Sequence, residues 1–232
     1  MNRPFKHLSR WLRLPLHRRR AKRRLAEYHA QTRSLEEVID WAMHFGGQGH
    51  MKVQTLQVPW EITQLAKAVQ ALEPRVILEI GTARGGTLLL WSYLASEEVI
   101  ACDLNDMSRQ APIFTRFPPP QSRCRVSLLS GDSHQAAFKQ RVAAALAGRK
   151  ADFLFIDGDH TVDGVAADYR DYREFVRPGG IIAFHDIVEK QPLPTNQVAR
   201  FWQKLKQETP VEEFIHDAGQ CGFGIGIVRV PG

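Results

Sequence analysis

Apolar residues recur along this chain with two different periods. Ile62, Leu65, Ala66, Val69 and Leu72 repeat at three- and four-residue intervals, which predicts an amphipathic helix over residues 60–72. A shorter helix is expected over residues 34–45. Ser34 is its N-cap and Glu37, three residues on, is a capping-box partner; Gly46, Gly47 and Gly49 end it. From residue 75 the pattern changes to short, continuous apolar runs that stop at acidic or glycine-rich turns. Val76–Ile80, Glu98–Cys102, Arg125–Leu129, Asp152–Ile156 and Gly180–Phe184 read as buried strands, and Gly222–Val230 can hold a last one. Helical stretches fall between them, ending near Ala95 and covering Ser133–Leu146, Val162–Phe175 and Val198–Lys206. Strands alternating with helices at this spacing predict an α/β fold of the Rossmann-like, doubly wound kind. Its sheet is mostly parallel, with helices on both faces. Ligands in such sheets bind beyond the carboxyl ends of the strands, where most of these acidic residues sit.

Charge changes the picture at one end. Residues 1–24 hold ten lysines and arginines and no acid, so the net +6 of the chain leaves the remainder at −4. The cations are interleaved with Phe5, Leu8, Trp11, Leu12, Leu14 and Leu16, and Pro15 is expected to interrupt any helix there. This division predicts a basic tail over 1–24, a helical cap region over 25–74 and the main domain over 75–232. An anionic membrane surface is the partner the tail suggests, with ribosomes or nucleic acid as alternatives; a solvated tail is an equal reading. The body offers no compositional reason to expect a nucleic-acid substrate. No run of about 18 apolar residues predicts a membrane span. Nor does the N-terminus resemble a signal peptide. Cys102, Cys124 and Cys221 lie far apart, which fits reduced thiols in a cytoplasm. The expected location is therefore cytoplasmic, or peripheral on the inner face of the membrane.

Candidate chemistry begins after the first strand, in Glu79-Ile-Gly81-Thr82-Ala83-Arg-Gly85-Gly86. Glycines there let a ligand approach the backbone closely. A dinucleotide loop would want glycine where Ala83 stands, and a pyrophosphate would not welcome Glu79. A carboxylate suits instead the cationic S-adenosylmethionine (SAM). The segment resembles the first motif of class I SAM-dependent methyltransferases, with Ala83 as its departure. That resemblance implies cofactor contacts from Glu79, Gly81, Thr82, Ala83 and Gly85. It implies ribose recognition by Asp103, 24 residues after Glu79, and adenine contacts from Asp132 and Ser133.

A second set of carboxylates ends the fourth and fifth strands, in Phe155-Ile-Asp157-Gly-Asp159-His160 and Phe184-His185-Asp186. Crowded carboxylates repel one another, and a hard divalent cation relieves the repulsion. These motifs resemble the methyltransferase group that includes cephalosporin-hydroxylase-like proteins and macrocin-type O-methyltransferases. The resemblance spans about residues 75–230. It implies Mg²⁺ on Asp157 and Asp186 and His160 as catalytic base, with Asp159 and His185 as further candidate ligands. The implied activity is O-methylation of a small hydroxylated or sugar-containing substrate. The alternatives are an iron-dependent, hydroxylase-like enzyme, a SAM-fold binding protein without catalysis, and an RNA-binding protein led by its tail. Loops 28–60, 105–121 and 187–197 are expected to build the acceptor pocket. Tyr28–His50 is a candidate lid or a contact between copies in a homo-oligomer.

Overall fold

The computed structural model describes the backbone from Pro4 and the side chains from Arg13 onward; Phe5, Leu8, Trp11 and Leu12 lie outside the described side chains. The helices are α1 (Pro4–His29), α2 (Leu35–His44), α3 (Pro59–Gln70), α4 (Gly86–Leu94), α5 (Ala111–Phe114), α6 (Ala136–Leu146), α7 (Val162–Tyr172) and α8 (Val198–Glu208). The strands are β1 (Val76–Ile80), β2 (Glu98–Asp103), β3 (Arg125–Ser130), β4 (Ala151–Ile156), β5 (Val176–His185), β6 (Val211–Phe214) and β7 (Ile225–Arg229). They form one sheet in the order β3-β2-β1-β4-β5-β7-β6, parallel from β3 to β5, with β7 antiparallel to both its neighbours. This is the doubly wound architecture that the alternating pattern predicts.

Side chains alternate across the pleat, so each central strand serves two cores. Ile77, Phe153, Phe155, Ile181 and Ala183 face a layer that includes α1 to α4. Leu78, Ile80, Leu154, Ile156, Ile182 and Phe184 face the layer of α6, α7 and α8. The central strands are covered on both faces and therefore read as unbroken apolar runs. Ser34 and Glu37 form the capping box at the start of α2. This helix buries Leu35, Val38, Ile39 and Ala42 in the first core. Tyr28–His50 is thus built into that core and is no detachable flap.

Three elements depart from the sequence reading. Helix α1 runs through Pro15 without a break and continues across residue 24. Proline removes one hydrogen bond there. The turns that follow are held by tertiary packing: Ala21, Leu25 and Tyr28 are buried, and the Arg24 guanidinium lies 4.3 Å over the Trp41 ring. Strand β5 starts earlier than expected, because Val176-Arg-Pro-Gly-Gly pairs along β4 through an irregular register between Ala151 and Phe153. Strand β6 is a short edge strand, Val-Glu-Glu-Phe, too polar to announce itself.

One buried carboxylate fixes the far end of the sheet. Glu61, on α3, is fully buried. Its Oε1 accepts the His216 backbone N–H at 3.1 Å and the Gln220 side-chain amide at 2.7 Å, and its Oε2 accepts the Gly224 N–H at 2.9 Å. The segment between β6 and β7 is thereby tied to α3. Replacing Glu61 with Ala leaves these donors without their acceptor. We expect a loss of about 3 kcal/mol in urea unfolding; a loss below about 1 kcal/mol would show that the segment holds its place without Glu61.

Candidate active site

The turn after β1 is held by sterics that only glycine satisfies. Gly81 has φ +95°, and a Cβ at this position would lie 2.0 Å from the Asp157 carbonyl oxygen. The turn after β1 and the turn after β4 therefore touch, joined also by the Asp157 N–H donating to the Ile80 carbonyl at 2.8 Å. Gly86 plays a similar part on the other side, where a Cβ would meet the Thr55 backbone nitrogen at 2.0 Å. Ala83, at the position the motif usually fills with glycine, keeps a left-handed φ of +46°. The substitution therefore preserves the shape of the turn.

Two cavities open at the carboxyl ends of the strands. The first, about 540 Å³, has Ile80 and Cys102 among its apolar walls and is polar at Asp103, Asp132, Ser133 and His134. The second, about 400 Å³, is bounded by Gln57, Thr82, Thr87, His185, Asp186 and Asn196 and by apolar Leu56, Pro192, Leu193 and Phe223. They share Gly81, Ala83, Asp157 and His160. Among the residues expected to contact a cofactor, Gly81, Ala83, Asp103, Asp132 and Ser133 line the first cavity, and Thr82 lines the second. Gly85 and Glu79 line neither. Gly85 starts α4 and packs against the Phe114 ring. Glu79 points into the first core, where its Oε1 accepts the Trp91 indole N–H at 2.9 Å. Burial pushes its carboxyl up to about 7, against the hydrogen bonds of Thr87, Thr82 and Trp91. It therefore sits beneath the glycine turn, without reaching a ligand above it.

Asp103 holds the turn and still faces the cavity. Its Oδ2 accepts the Ala83 N–H at 2.6 Å, and its Oδ1 accepts both the backbone and the side-chain amide of Asn105 at 2.7 and 3.0 Å. A carboxylate has about four acceptor positions, which leaves one on Oδ2 for a hydroxyl. Asp132 is half-buried and orders its own turn by accepting the His134 N–H at 2.9 Å.

The second carboxylate set converges as its spacing suggests. Asp157, His160 and Asp186 each offer a ligand atom, and these atoms lie within 4.8 Å of one another. Asp157 Oδ1 is 3.2 Å from His160 Nε2 and 3.3 Å from His185 Nδ1, while Oδ2 accepts the Gln57 amide at 3.2 Å. His160 Nδ1 is 3.7 Å from Asp186 Oδ2, which also accepts the Asn196 side-chain amide. Burial alone would raise the Asp157 carboxyl, but the two imidazoles outweigh it and hold the group well below the usual carboxylate range. The Asp157 hydrogen bond and the charges of Asp157 and Asp186 raise His160 against its partial burial. His185 is buried, which would lower it, yet the same two carboxylates raise it. Two carboxylates and an imidazole at these distances fit one divalent cation, and a φ of +66° at Asp186 is backbone strain of the kind found at functional sites. Asp159 is otherwise employed: its Oδ1 accepts the Thr161 N–H at 2.8 Å beside the N-cap of α7.

Several residues here carry no signal in the sequence. Gln57, Asn196 and Phe223 reach the cluster or its cavity from three separate loops. Phe223, whose ring centroid is 6.0 Å from that of His185, lies in the segment held by Glu61. Of the loops expected around the acceptor, 28–60 and 187–197 contribute to the second cavity, whereas 105–121 gives Asn105 to the first.

Comparison with known proteins agrees with this geometry. Residues 78–187 match the model of a methyltransferase domain. An O-methyltransferase from Bacillus cereus, solved in complex with SAH, superimposes with a TM-score of 0.57 at 22% identity, covering 89% of this chain and 94% of that one. TomG, an O-methyltransferase of tomaymycin synthesis from Streptomyces achromogenes solved with SAM, gives 0.55 at 16% identity over 87% and 92%. MycE, a methyltransferase of mycinamycin biosynthesis solved with Mg, SAH and mycinamycin VI, gives 0.58 at 16% identity over 87% of this chain and 56% of its own. At such identities these three likenesses are ones of fold. No curated protein sequence matches this chain. The motif after β1 and the strand order agree with this match: residues 78–187 match a methyltransferase domain, on a fold shared with SAM-dependent O-methyltransferases.

Proposed function

We propose that the chain transfers the methyl group of SAM to a hydroxyl oxygen on a small hydroxylated or sugar-containing acceptor. The observation that carries this reading is the shared wall of Gly81, Ala83, Asp157 and His160 between two cavities of different character. The nucleoside of SAM belongs in the polar cavity. Asp103 accepts a ribose hydroxyl there, and Asp132 and Ser133 flank the adenine. The acceptor belongs in the more apolar cavity, between Leu56, Leu193 and Phe223.

Transfer is an in-line displacement. The acceptor oxygen attacks the methyl carbon, the C–S bond breaks, and the sulfonium leaves as a neutral thioether. The hydroxyl proton goes to His160, which Asp157 orients. A divalent cation on the carboxylates of Asp157 and Asp186, with Mg²⁺ as the first candidate, would supply Lewis-acid polarisation of the acceptor hydroxyl. MycE, solved with Mg and SAH, offers a precedent within the same fold. Positioning across the shared wall and electrostatics supply most of the acceleration in such a reaction. We place the enzyme in the cytoplasm, which keeps Cys102, Cys124 and Cys221 as the free thiols they are here.

Titration calorimetry is expected to show SAM binding but not NAD⁺ binding, with Asp103→Ala weakening SAM about tenfold or more. A preference for NAD⁺ would overturn the cofactor assignment. Asp186→Asn should weaken Mn²⁺ binding, followed by electron paramagnetic resonance, by about 10- to 100-fold; equal affinity in the variant would remove the metal from the scheme. Against a panel of hydroxylated acceptors, His160→Ala should lower the turnover of SAM by about 10²- to 10⁴-fold with SAM affinity retained. Full turnover in that variant would end the role of His160 as base.

A further inference from the structure

Among the described residues five large hydrophobic side chains stand exposed, and three of them line the two cavities. Leu56 (62% exposed) and Leu193 (65%) line the acceptor cavity, and Leu104 (72%) lines the cofactor cavity. Trp60 (43%) lines neither cavity and packs against the His216 ring, 5.8 Å between centroids. Such exposed residues scattered singly need no explanation, but a cluster round one opening does.

The fifth, Leu16, lies on α1, and α1 is fastened to the same loops. The loop after α2 folds back on itself, with Gly46 and Val53 exchanging backbone hydrogen bonds at 3.1 and 2.8 Å. Its tip packs on α1, with His17 beside Gly49 and Arg20 donating to the Gln48 side chain at 3.2 Å. The same loop then continues into Gln54–Gln57. Arg18 donates to the Arg109 carbonyl in the loop that follows β2 and begins with Leu104. The helix turns Ala21, Leu25 and Tyr28 into the core and leaves Arg13, Leu16, Arg19, Arg20, Lys22 and Arg23 in solvent. Tertiary packing thus orients a basic helix face beside the apolar rim.

We propose that the solvent face of α1 and the exposed leucines round the two cavities form one docking surface for an anionic lipid bilayer. Cations near such a surface are attracted to it, and apolar side chains beside them gain by entering the interface; each alone is weak, and together they hold. A nucleic acid fits less well. Its grip would need the basic surface to continue along a groove, whereas among the described residues that line the two cavities Arg84 is the one lysine or arginine, beside several carboxylates. Docking in this pose turns the acceptor cavity toward the lipid headgroups, so that a hydroxyl carried on an amphipathic, membrane-resident molecule could enter. That last consequence rests on the acceptor-cavity reading above; the docking itself does not.

The test is co-sedimentation of the full chain with vesicles of phosphatidylcholine alone and of phosphatidylcholine mixed with phosphatidylglycerol, without SAM or acceptor. We expect binding to the anionic vesicles only, weakened by added salt. Charge reversal at four exposed positions, R19E/R20E/K22E/R23E, should lower partitioning by more than about 100-fold, since each cation contributes roughly fivefold. L56S/L193S should lower it by about tenfold or more. Thermal melts and SAM calorimetry on each variant separate loss of docking from loss of fold or of cofactor binding. Equal binding to both vesicle types, no binding to either, or an L56S/L193S variant that sediments like the parent would overturn the proposal. So would a chain that ignores vesicles but is retained by a duplex oligonucleotide in a salt-dependent way.

Discussion

The contact between the turn after β1 and the turn after β4 is the constraint on which the site depends. The parallel register of β1 and β4 pairs Ile80 with Ile156, so the two chains leave the sheet together. The absence of a side chain at Gly81 then lets the backbones close until the Asp157 carbonyl occupies the place a Cβ would take. Strand order reverses at this point, with β2 on one side of β1 and β4 on the other, and a crevice opens there in sheets of this kind. The glycine turn and the carboxylate cluster are therefore two sides of one wall. Gly81 and Ala83 from one turn and Asp157 and His160 from the other therefore border both cavities.

The charge balance around that wall has a consistent logic. Glu79, Asp157 and Asp186 are brought to adjacent strand ends, and each meets a different answer to the cost of burial. Glu79 faces the first core and is pushed toward its neutral form by desolvation, with only hydroxyls and an indole to offset it. Asp157 lies one pleat repeat beyond Phe155, between two imidazoles, and stays ionised. Asp186 accepts the side-chain amide of Asn196 and lies within 4 Å of both histidines. The two imidazoles offset the negative charge of the paired carboxylates. Removing that negative charge by binding a metal would also remove what raises His160.

The amino-terminal helix shows how packing overrides a local rule. A proline inside a helix removes a hydrogen bond and crowds the turn before it. Here the turns that follow bury Ala21, Leu25 and Tyr28, and Arg24 both stacks on Trp41 and donates to the Phe45 carbonyl at 3.1 Å. That packing outweighs the lost bond. It also leaves Arg13, Arg19, Arg20, Lys22 and Arg23 together on the solvent side of a packed helix.

By itself the sequence determined the apolar strands, the longer helices between them and the glycine turn that pointed to SAM. Parallel strands covered on both faces must be apolar throughout, and a left-handed turn at a strand end calls for glycine, so both leave marks that local reading detects. The pairing of Asp157 with Asp186 and His160 was legible for the same reason: all three follow strand ends, and strand ends lie on one edge of the sheet. Only the tertiary structure decided which carboxylate faces a cavity. Glu79 and Asp103 look alike as acids at or near strand ends and share one phase of the pleat, yet Glu79 still lies within β1 against Trp91, whereas Asp103 is the last residue of β2 and stands level with the turn after β1. Tertiary structure alone also recruited Gln57, Asn196 and Phe223, joined Glu61 to the segment before β7 and carried α1 through Pro15. Periodicity and spacing are properties of neighbours along the chain. These contacts join positions that strand order and loop packing bring together across it, and no local pattern encodes them.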